Sequence, residues 1–381
     1  MATDLSGQVI WYYRFREIEN PRFPWHIGQY LLRPAPGGSF LLFLIYRGGF
    51  DQVLREIDLA GNPVRETNVE QVNRQLAALG QDPIGYFHHD ALRLDNGHTL
   101  VIGSVERLLT DVQGPGVVDV LGDMLIDLDE NFQVAWAWNA FDHLDITRAA
   151  VLGERCTVVT VGCPPISLAL SANDWTHANA VVYSPADGSL LLSLRNQDWI
   201  VKLDYRDGAG DGAVLWRLGP GGDFSLNAPG AGPFPWFSHQ HDPVLDGRQL
   251  ALLDNGNTRC EPAPLGCNSR GQVLELDEAA RTATLVLDAD LGRFSTAVGS
   301  AQRLSNGNYH FLAGILLPGV VSRSVEVTPA GEQVFSLQTE GTQYRSYRMR
   351  DLYTPVTPAF LQSEPGQATG PEALYLPFVV R

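Results

Sequence analysis

Basic residues are scarce in this sequence. The 381 residues include 27 Lys and Arg against 43 Asp and Glu, a formal net charge of −16. A body this acidic repels a phosphate backbone and an anionic lipid surface, so neither nucleic acid nor membrane is expected as a partner. Long apolar runs are missing too, and none approaches the ~20 residues of a membrane span. The N-terminus, MATDLSGQVIWYYRF, has no basic start and no apolar core of signal-peptide type. The expectation is a cytosolic protein, or one whose leader was removed before this numbering. Cysteine is limited to four, Cys156 with Cys163 and Cys260 with Cys267, each pair seven apart. Neither pair has the C-x-x-C spacing of zinc ribbons or thioredoxin-like sites. Each is open to two readings, a short disulfide or free thiols in surface loops. The pairing favours a periplasmic or secreted protein. Helix signals are confined to EQVNRQLAALG (70–80), expected as a surface helix.

Glycine (38), proline (24) and aromatics are plentiful, and 44% of residues are hydrophobic. That composition suits turn-rich, all-β material with a sizeable core. The chain also repeats itself. HHDALRLDNGHTLVIG (88–103), NAVVYSPADGSLLLSLR (179–195), HDPVLDGRQLALLDNG (241–256) and SAQRLSNGNYHFLAG (300–314) share a strand, a glycine turn and a second strand. QYLLRPAPGGSFLLFLIYRG (29–48) fits more loosely. Turns of this kind between alternating apolar runs are strong hairpin signals. The turn glycines Gly38, Gly97, Gly188, Gly247 and Gly307 are spaced by 59, 91, 59 and 60 residues. Each hairpin is followed by a second strand–turn–strand, as in MLIDLDENFQVAWAW (124–138). Four strands per ~60-residue unit predict a β-propeller blade. Five units are visible. A sixth shared between GQVIWYYRF and TQYRSYRMRDLY would close a six-bladed ring of four-stranded blades and remove its open edge. The expected organisation is one propeller domain over 1–353, an insertion about 140–175 and an extended C-terminal strap over 354–381. A β-sandwich or two smaller barrels are the alternative architectures.

In a propeller the first strand of each blade lines the central channel, so matched positions converge there. His88 and His89 open the second unit, His177 the third, and His239 and His241 the fourth. Strand alternation allows only one of His88 and His89 to face the channel, and allows His239 and His241 to face the same way. It puts Asn179 on the face of His177. Arg195 ends the next strand, and its guanidinium fork suits a tetrahedral oxyanion. His26, His98, His143 and His310 lack matching context and are read as structural. Trp175, Trp236 and Phe237 flank the motifs, either stacking on an aromatic guest or packing between blades.

The strings DWTHANAVVYSPADGSLLLSLRNQDWIVKLD, AVLWRLGPGGDF and FSHQHDPV…LLDNGNTR, with HHDALRLDNG upstream, resemble the bacterial arylsulfate sulfotransferases that work without a nucleotide sulfate donor. The likeness runs from about Gly85 to Gly314. It implies sulfo transfer from a phenolic sulfate ester to a phenol acceptor, ping-pong, through a sulfohistidine on His241. It implies supporting roles for His177, His89, Arg195 and Asn179, with a fifth-blade hydroxyl from Ser295 or Thr296. Thr296 is taken as the substrate-binding candidate, and no cofactor or metal is expected. The resemblance also gives Cys260–Cys267 as the counterpart of a family disulfide. The insertion with Cys156 and Cys163 departs from the family pattern and would roof the channel. An extra N-terminal domain of known members is not found in the sequence, which leaves the oligomeric state open. Two rival readings stand beside this one. The first is a metal-dependent propeller hydrolase with His89, His177 and His241 as ligands, against which the neighbouring Arg195 counts. The second is a non-catalytic, ligand-binding propeller.

Overall fold

The computed structural model describes residues 1–13, 28–45, 52–157, 160, 162–230, 232–261, 266–319, 321–353 and 374–380. His26 and most of the 354–381 stretch lie outside them. The protein is mostly β, with its described strands in six sheets. Four sheets have four strands, one has five and one six. The chain divides into two compact units. The first comprises Met1–Tyr12, Asp198–Lys202 and Trp216–Arg381, the second Tyr13–Gln197 and Leu203–Leu215.

The second unit begins with four consecutive antiparallel strands, Gly28–Ala35, Ser39–Ile45, Gln52–Ile57 and Pro63–Asn68. The expected helix follows as Val69–Ala78. Asn68 caps it by accepting the Gln71 N–H at 2.8 Å, satisfying one of the orphan donors at its start. Val69, Val72 and Leu76 fall on one side of it and are buried, which ties an otherwise polar helix to the core. The next sheet runs Tyr86–Arg93, Thr99–Thr110, Val117–Leu128 and Val134–Asn139. The insertion adds two strands here. Arg155–Thr157 pairs with Ser171–Asp174, which runs parallel to the middle of Val117–Leu128. The hairpin Ala178–Ser184 and Ser189–Leu194 completes the part that matters for the site. Phe43, Phe87, Val101, Met124 and Ile126 sit in the shared core. Fully burying each such side chain contributes on the order of 2 kcal/mol.

In the first unit, His241–Asp246, Gln249–Asp254, Arg270–Asp277 and Thr282–Asp290 form an antiparallel series, with Ser225–Asn227 added in parallel at its edge. Gly299–Arg303, Tyr309–Leu316, Val321–Val327 and Gln333–Glu340 form the next. The remaining sheet joins the chain ends in the order Val9–Trp11, Ala2–Asp4, Leu374–Val380, Thr342–Met349. N- and C-terminal strands therefore share one sheet. Within the stretch read as a strap, Leu374–Val380 is instead an inner strand of this sheet.

The five turn glycines that set the repeat all have positive φ, from 59° at Gly247 to 97° at Gly97. Side chains disfavour that region, so glycine at each turn is a steric requirement that leaves a readable period.

Candidate active site

Two clusters contain the expected residues, one in each unit. In the second unit the strand Tyr86–Arg93 breaks its own alternation. His89 has φ 58°, and the register with Thr99–Thr110 shifts between Phe87 and Ala91. Left-handed backbone is uncommon for a non-glycine residue and clusters at functional positions. Here it overturns the parity argument, because His88 and His89 bring their rings together. Their Nδ1 atoms lie 2.7 Å apart, so one carries the hydrogen and the other accepts it. His88 Nε2 lies 3.0 Å from Asp123 Oδ1, although the N–H does not point straight at the oxygen. Asp123 Oδ2 accepts from Thr176 Oγ1 at 2.5 Å and from the Ala178 N–H at 2.6 Å.

His89 also packs edge-on against His177, with ring centroids 4.6 Å apart. His177 has φ 50° and stands one residue before the strand Ala178–Ser184. Its Nδ1 is 2.6 Å from Asp174 Oδ2. Burial alone would raise the pKa of Asp174, but His177, and after it Arg195, hold the carboxyl below its ordinary value. Asn179 is fully buried in the same strand. Arg195 follows directly on Ser189–Leu194 and opens a short 3-10 turn. Its backbone N–H donates to His177 O at 3.2 Å. Its Nη1 donates to Asn196 Oδ1 at 2.7 Å and lies 3.8 Å from Glu154 Oε1. Of the residues expected from the sequence, His89, His177 and Arg195 are thus brought together.

In the first unit His241 begins the strand His241–Asp246 and is buried. Its Nδ1 is 2.6 Å from Asn255 Oδ1 and 3.1 Å from His239 O. The amide of Asn255 cannot be turned around without loss, because its Nδ2 donates to Ser295 O at 2.9 Å and Val298 O at 3.2 Å. Oδ1 is therefore the acceptor and His241 Nδ1 carries the hydrogen. His241 Nε2 in turn accepts the Val298 N–H at 3.2 Å, which agrees with the same tautomer. Val298 has φ 54°, an unusual conformation for a β-branched residue. Asp242 is directed elsewhere, 3.3 Å from buried Arg345. His239 has φ 51°, so strand alternation does not hold there either. Its Nδ1 lies 2.9 Å from Asp198 Oδ1, which also accepts its backbone N–H.

Ser295 and Thr296 are now distinguishable. The Ser295 hydroxyl donates to Ala297 O at 3.1 Å and accepts the Ile315 N–H at 3.0 Å, so it holds its own loop. Thr296 is half-buried, and its carbonyl accepts from Asn257 at 3.0 Å. Trp175 and Phe237 are buried, with Trp175 Nε1 bonded to Arg148 O, so both pack rather than stack on a guest. Trp236 is half-buried. The histidines read as structural have ordinary partners: His98 with Asp127, His143 against Trp138 and His310 with Ser346.

Both cysteine pairs are disulfides. The Cys260–Cys267 bridge closes the loop just after Asn255, where Ser269 Oγ donates to Asn255 O at 2.8 Å. Among the described residues, one group of three His, Cys, Asp or Glu has ligand atoms close enough to share an ion. It is Cys156, Cys163 and Asp174, and its thiols are in a disulfide. No helix among the described residues is long and apolar enough to cross a membrane.

Sequence reasoning missed Asp123, Asp174 and Asn255. Asp174 precedes His177 by one helical-turn spacing in N-D-W-T-H, a signal that was available. Asn255 lay in the LLDNGNTR string quoted for the resemblance, where it was given no role.

No curated protein matches the chain significantly. Solved structures that resemble it include a dihydro-heme d1 dehydrogenase, NirN, at 14% identity and TM-score 0.38, covering 85% of this chain and 50% of that one. The chain thus spans half the length of that protein. Others are a putative 6-phosphogluconolactonase from Bacteroides uniformis (10% identity, TM-score 0.45, 83% and 73% covered) and a periplasmic gluconolactonase, PpgL, from Pseudomonas aeruginosa (15%, 0.38, 83% and 86%). Residues 1–348, nearly the whole chain, match the family model Arylsulfotransferase (ASST), and the protein belongs to that family.

Proposed function

We propose that this protein transfers a sulfo group from a phenolic sulfate ester to a phenol acceptor, in two steps through a sulfohistidine on His241. The observation that carries the proposal is the tautomer of His241. With Nδ1–H held by Asn255 Oδ1 at 2.6 Å, the lone pair sits on Nε2, where a nucleophile needs it. The Val298 N–H at 3.2 Å covers that lone pair and must yield as sulfur approaches.

In the first half-reaction Nε2 attacks sulfur, the S–O bond to the arene breaks, and the phenoxide takes a proton. His177 is the acid we assign, entering the step as the imidazolium: Asp174 accepts its Nδ1–H, and the proton on Nε2 goes to the leaving oxygen. In the second half-reaction the acceptor phenol oxygen attacks sulfur, the N–S bond breaks, and the phenolic proton returns to His177. A sulfuryl group carries its charge on non-bridging oxygens, so placed donors matter more than covalent chemistry. Arg195, Asn179 and His89 are the donors proposed, with Thr296 as a further hydroxyl contact. We further propose that the six sheets are blades of one closed propeller. The two disulfides fit an oxidising compartment, periplasmic or extracellular.

The test is incubation with an aryl sulfate donor alone, followed by mass spectrometry of histidine peptides. The expected product is one sulfo group on the peptide holding His241. Release of phenol with no modified peptide, or equal turnover by His241→Ala, would sink the reading.

A further inference from the structure

We infer that Asp174 is a positioning residue for His177, and that the insertion carrying it is held in place by the Cys156–Cys163 disulfide. This rests on the proposed role of His177 and ties that site to the Cys156–Cys163 insertion, which departs from the family pattern.

Asp174 is the last residue of the strand Ser171–Asp174, and its carboxylate is buried. The Oδ2–Nδ1 distance of 2.6 Å makes it an acceptor for His177 Nδ1–H. A carboxylate in that place fixes which ring nitrogen is free and stabilises the ring when it takes a second proton. The other titratable neighbours are His89, ring against ring, and Arg195, whose charge also acts on Asp174. Glu154 faces Arg195 at 3.8 Å.

The backbone of Asp174 is fastened from several sides. Its N–H donates to Glu154 O at 3.0 Å, and its carbonyl accepts Asn196 Nδ2 at 2.7 Å. Asn196 Oδ1 also receives Arg195 Nη1, so one amide ties the carboxylate's strand to the guanidinium. The strand lies between Arg155–Thr157, with Cys156 opposite Ala172, and Val120–Leu121. Cys156 is fully buried against Leu121, Ile166 and Ala172. Both sulfurs and a carboxylate oxygen of Asp174 lie within 4.8 Å of one another. The bridge therefore backs the carboxylate directly. An insertion that would otherwise be only a roof becomes part of the support of the acid–base imidazole.

The experiment compares Asp174→Asn, Asp174→Glu and a Cys156→Ser/Cys163→Ser double variant with wild type. Folding is checked by thermal denaturation. An asparagine can present its amide N–H to Nδ1 and so impose the wrong tautomer. Asp174→Asn is expected to lower kcat about 10²–10³-fold with KM within about threefold, somewhat less than the ~10⁴-fold fall recorded for the analogous change in a serine-protease triad. Its alkaline limb in kcat is expected at lower pH, since an acid without its carboxylate gives up its proton sooner. Asp174→Glu restores part of the activity. The double variant folds and loses about 10-fold in kcat. Proton NMR of the full chain gives a readout free of any sulfo transfer. The hydrogen-bonded Nδ1–H of His177 gives a downfield signal in wild type that vanishes in Asp174→Asn and in His177→Gln. A signal unchanged in Asp174→Asn, or an unshifted pH profile, overturns the inference. If wild type transfers no sulfo group yet the signal depends on Asp174, the positioning stands and the assigned reaction falls.

Discussion

Asn255 Oδ1 lies 2.6 Å from His241 Nδ1, and the two donors of the same amide are bound to Ser295 O and Val298 O. One side chain thus links the strand end at 254–255 to the 295–298 loop and dictates the proton position on the proposed nucleophile. Asn255→Leu removes this acceptor and leaves His239 O, 3.1 Å from Nδ1, as a weaker one. The expected result is a fall in kcat of roughly 10–100-fold. Asn255→Asp places a carboxylate at Nδ1, favours the imidazolium, and moves the acid limb of kcat/KM to higher pH. Rate profiles between pH 5 and 9 check both, and an unshifted acid limb in Asn255→Asp would count against the assignment.

Arg195 offers a different check. Its guanidinium is held by Asn196 and faces Glu154, so its orientation is set before any substrate arrives. Lysine keeps the charge but not the planar fork. Arg195→Lys is expected to lose on the order of 10²-fold in kcat/KM with an unchanged melting temperature. Steady-state kinetics with a chromogenic aryl sulfate measure it. A loss below threefold would remove Arg195 from the site.

The repeat was legible because glycine leaves a mark. Gly38, Gly97, Gly188, Gly247 and Gly307 recur where φ is positive, and the sheets begin and turn around them. The joining of N- and C-terminal strands was legible from the need to cover an edge. What misled was alternation at the histidines. His89, His177 and His239 themselves have positive φ, at 58°, 50° and 51°, and non-glycine residues give no sequence sign of that. The partners of the imidazoles were hidden for another reason. Asp123 and Asn255 are brought to His88 and His241 from other strands, 35 and 14 residues away, and a contact of that kind follows from packing rather than spacing. The division into two units was not visible either, since two of its four boundaries fall inside the strands Trp199–Leu203 and Val214–Leu218.

Asp119 makes an unusual demand on pH. It sits opposite Leu108 in the pairing of Thr99–Thr110 with Val117–Leu128, and its carboxyl is pushed up to about 7, first by burial and then by the charge of Glu106. Glu106 meanwhile accepts the Ser167 N–H at 2.9 Å and its hydroxyl at 2.7 Å, anchoring the insertion. The folded protein keeps a proton that the unfolded chain gives up near 3.8. The associated stability is complete below that value and is lost as pH rises through about 7. Asp119→Asn removes the effect. Its urea midpoint, relative to wild type, should climb steadily from pH 4 to pH 7.5. Parallel midpoints across that range would show that the carboxyl titrates normally.

His310 works in the opposite direction. It is fully buried on the strand Tyr309–Leu316, with Nε2 2.9 Å from Ser346 Oγ. Burial first, and the nearby Arg348 second, hold its pKa down to about 3 from the ordinary 6.5. The unfolded chain takes up a proton below 6.5 that the folded protein refuses until far lower pH. Stability from the neutral ring is therefore present above 6.5 and drains away as pH falls toward 3, by up to about 1.4 kcal/mol per pH unit. His310→Gln keeps a polar side chain of similar reach but cannot titrate. At pH 7 the variant should be the less stable, since a shaped, hydrogen-bonded core residue has been replaced. As pH falls to 4.5 the gap should narrow and then reverse, because only wild type carries the cost of keeping an imidazole neutral. Urea denaturation at pH 7, 6, 5 and 4.5 measures the gap directly. A gap that stays constant over that range would mean that the ring is protonated in the folded state as readily as in the unfolded one.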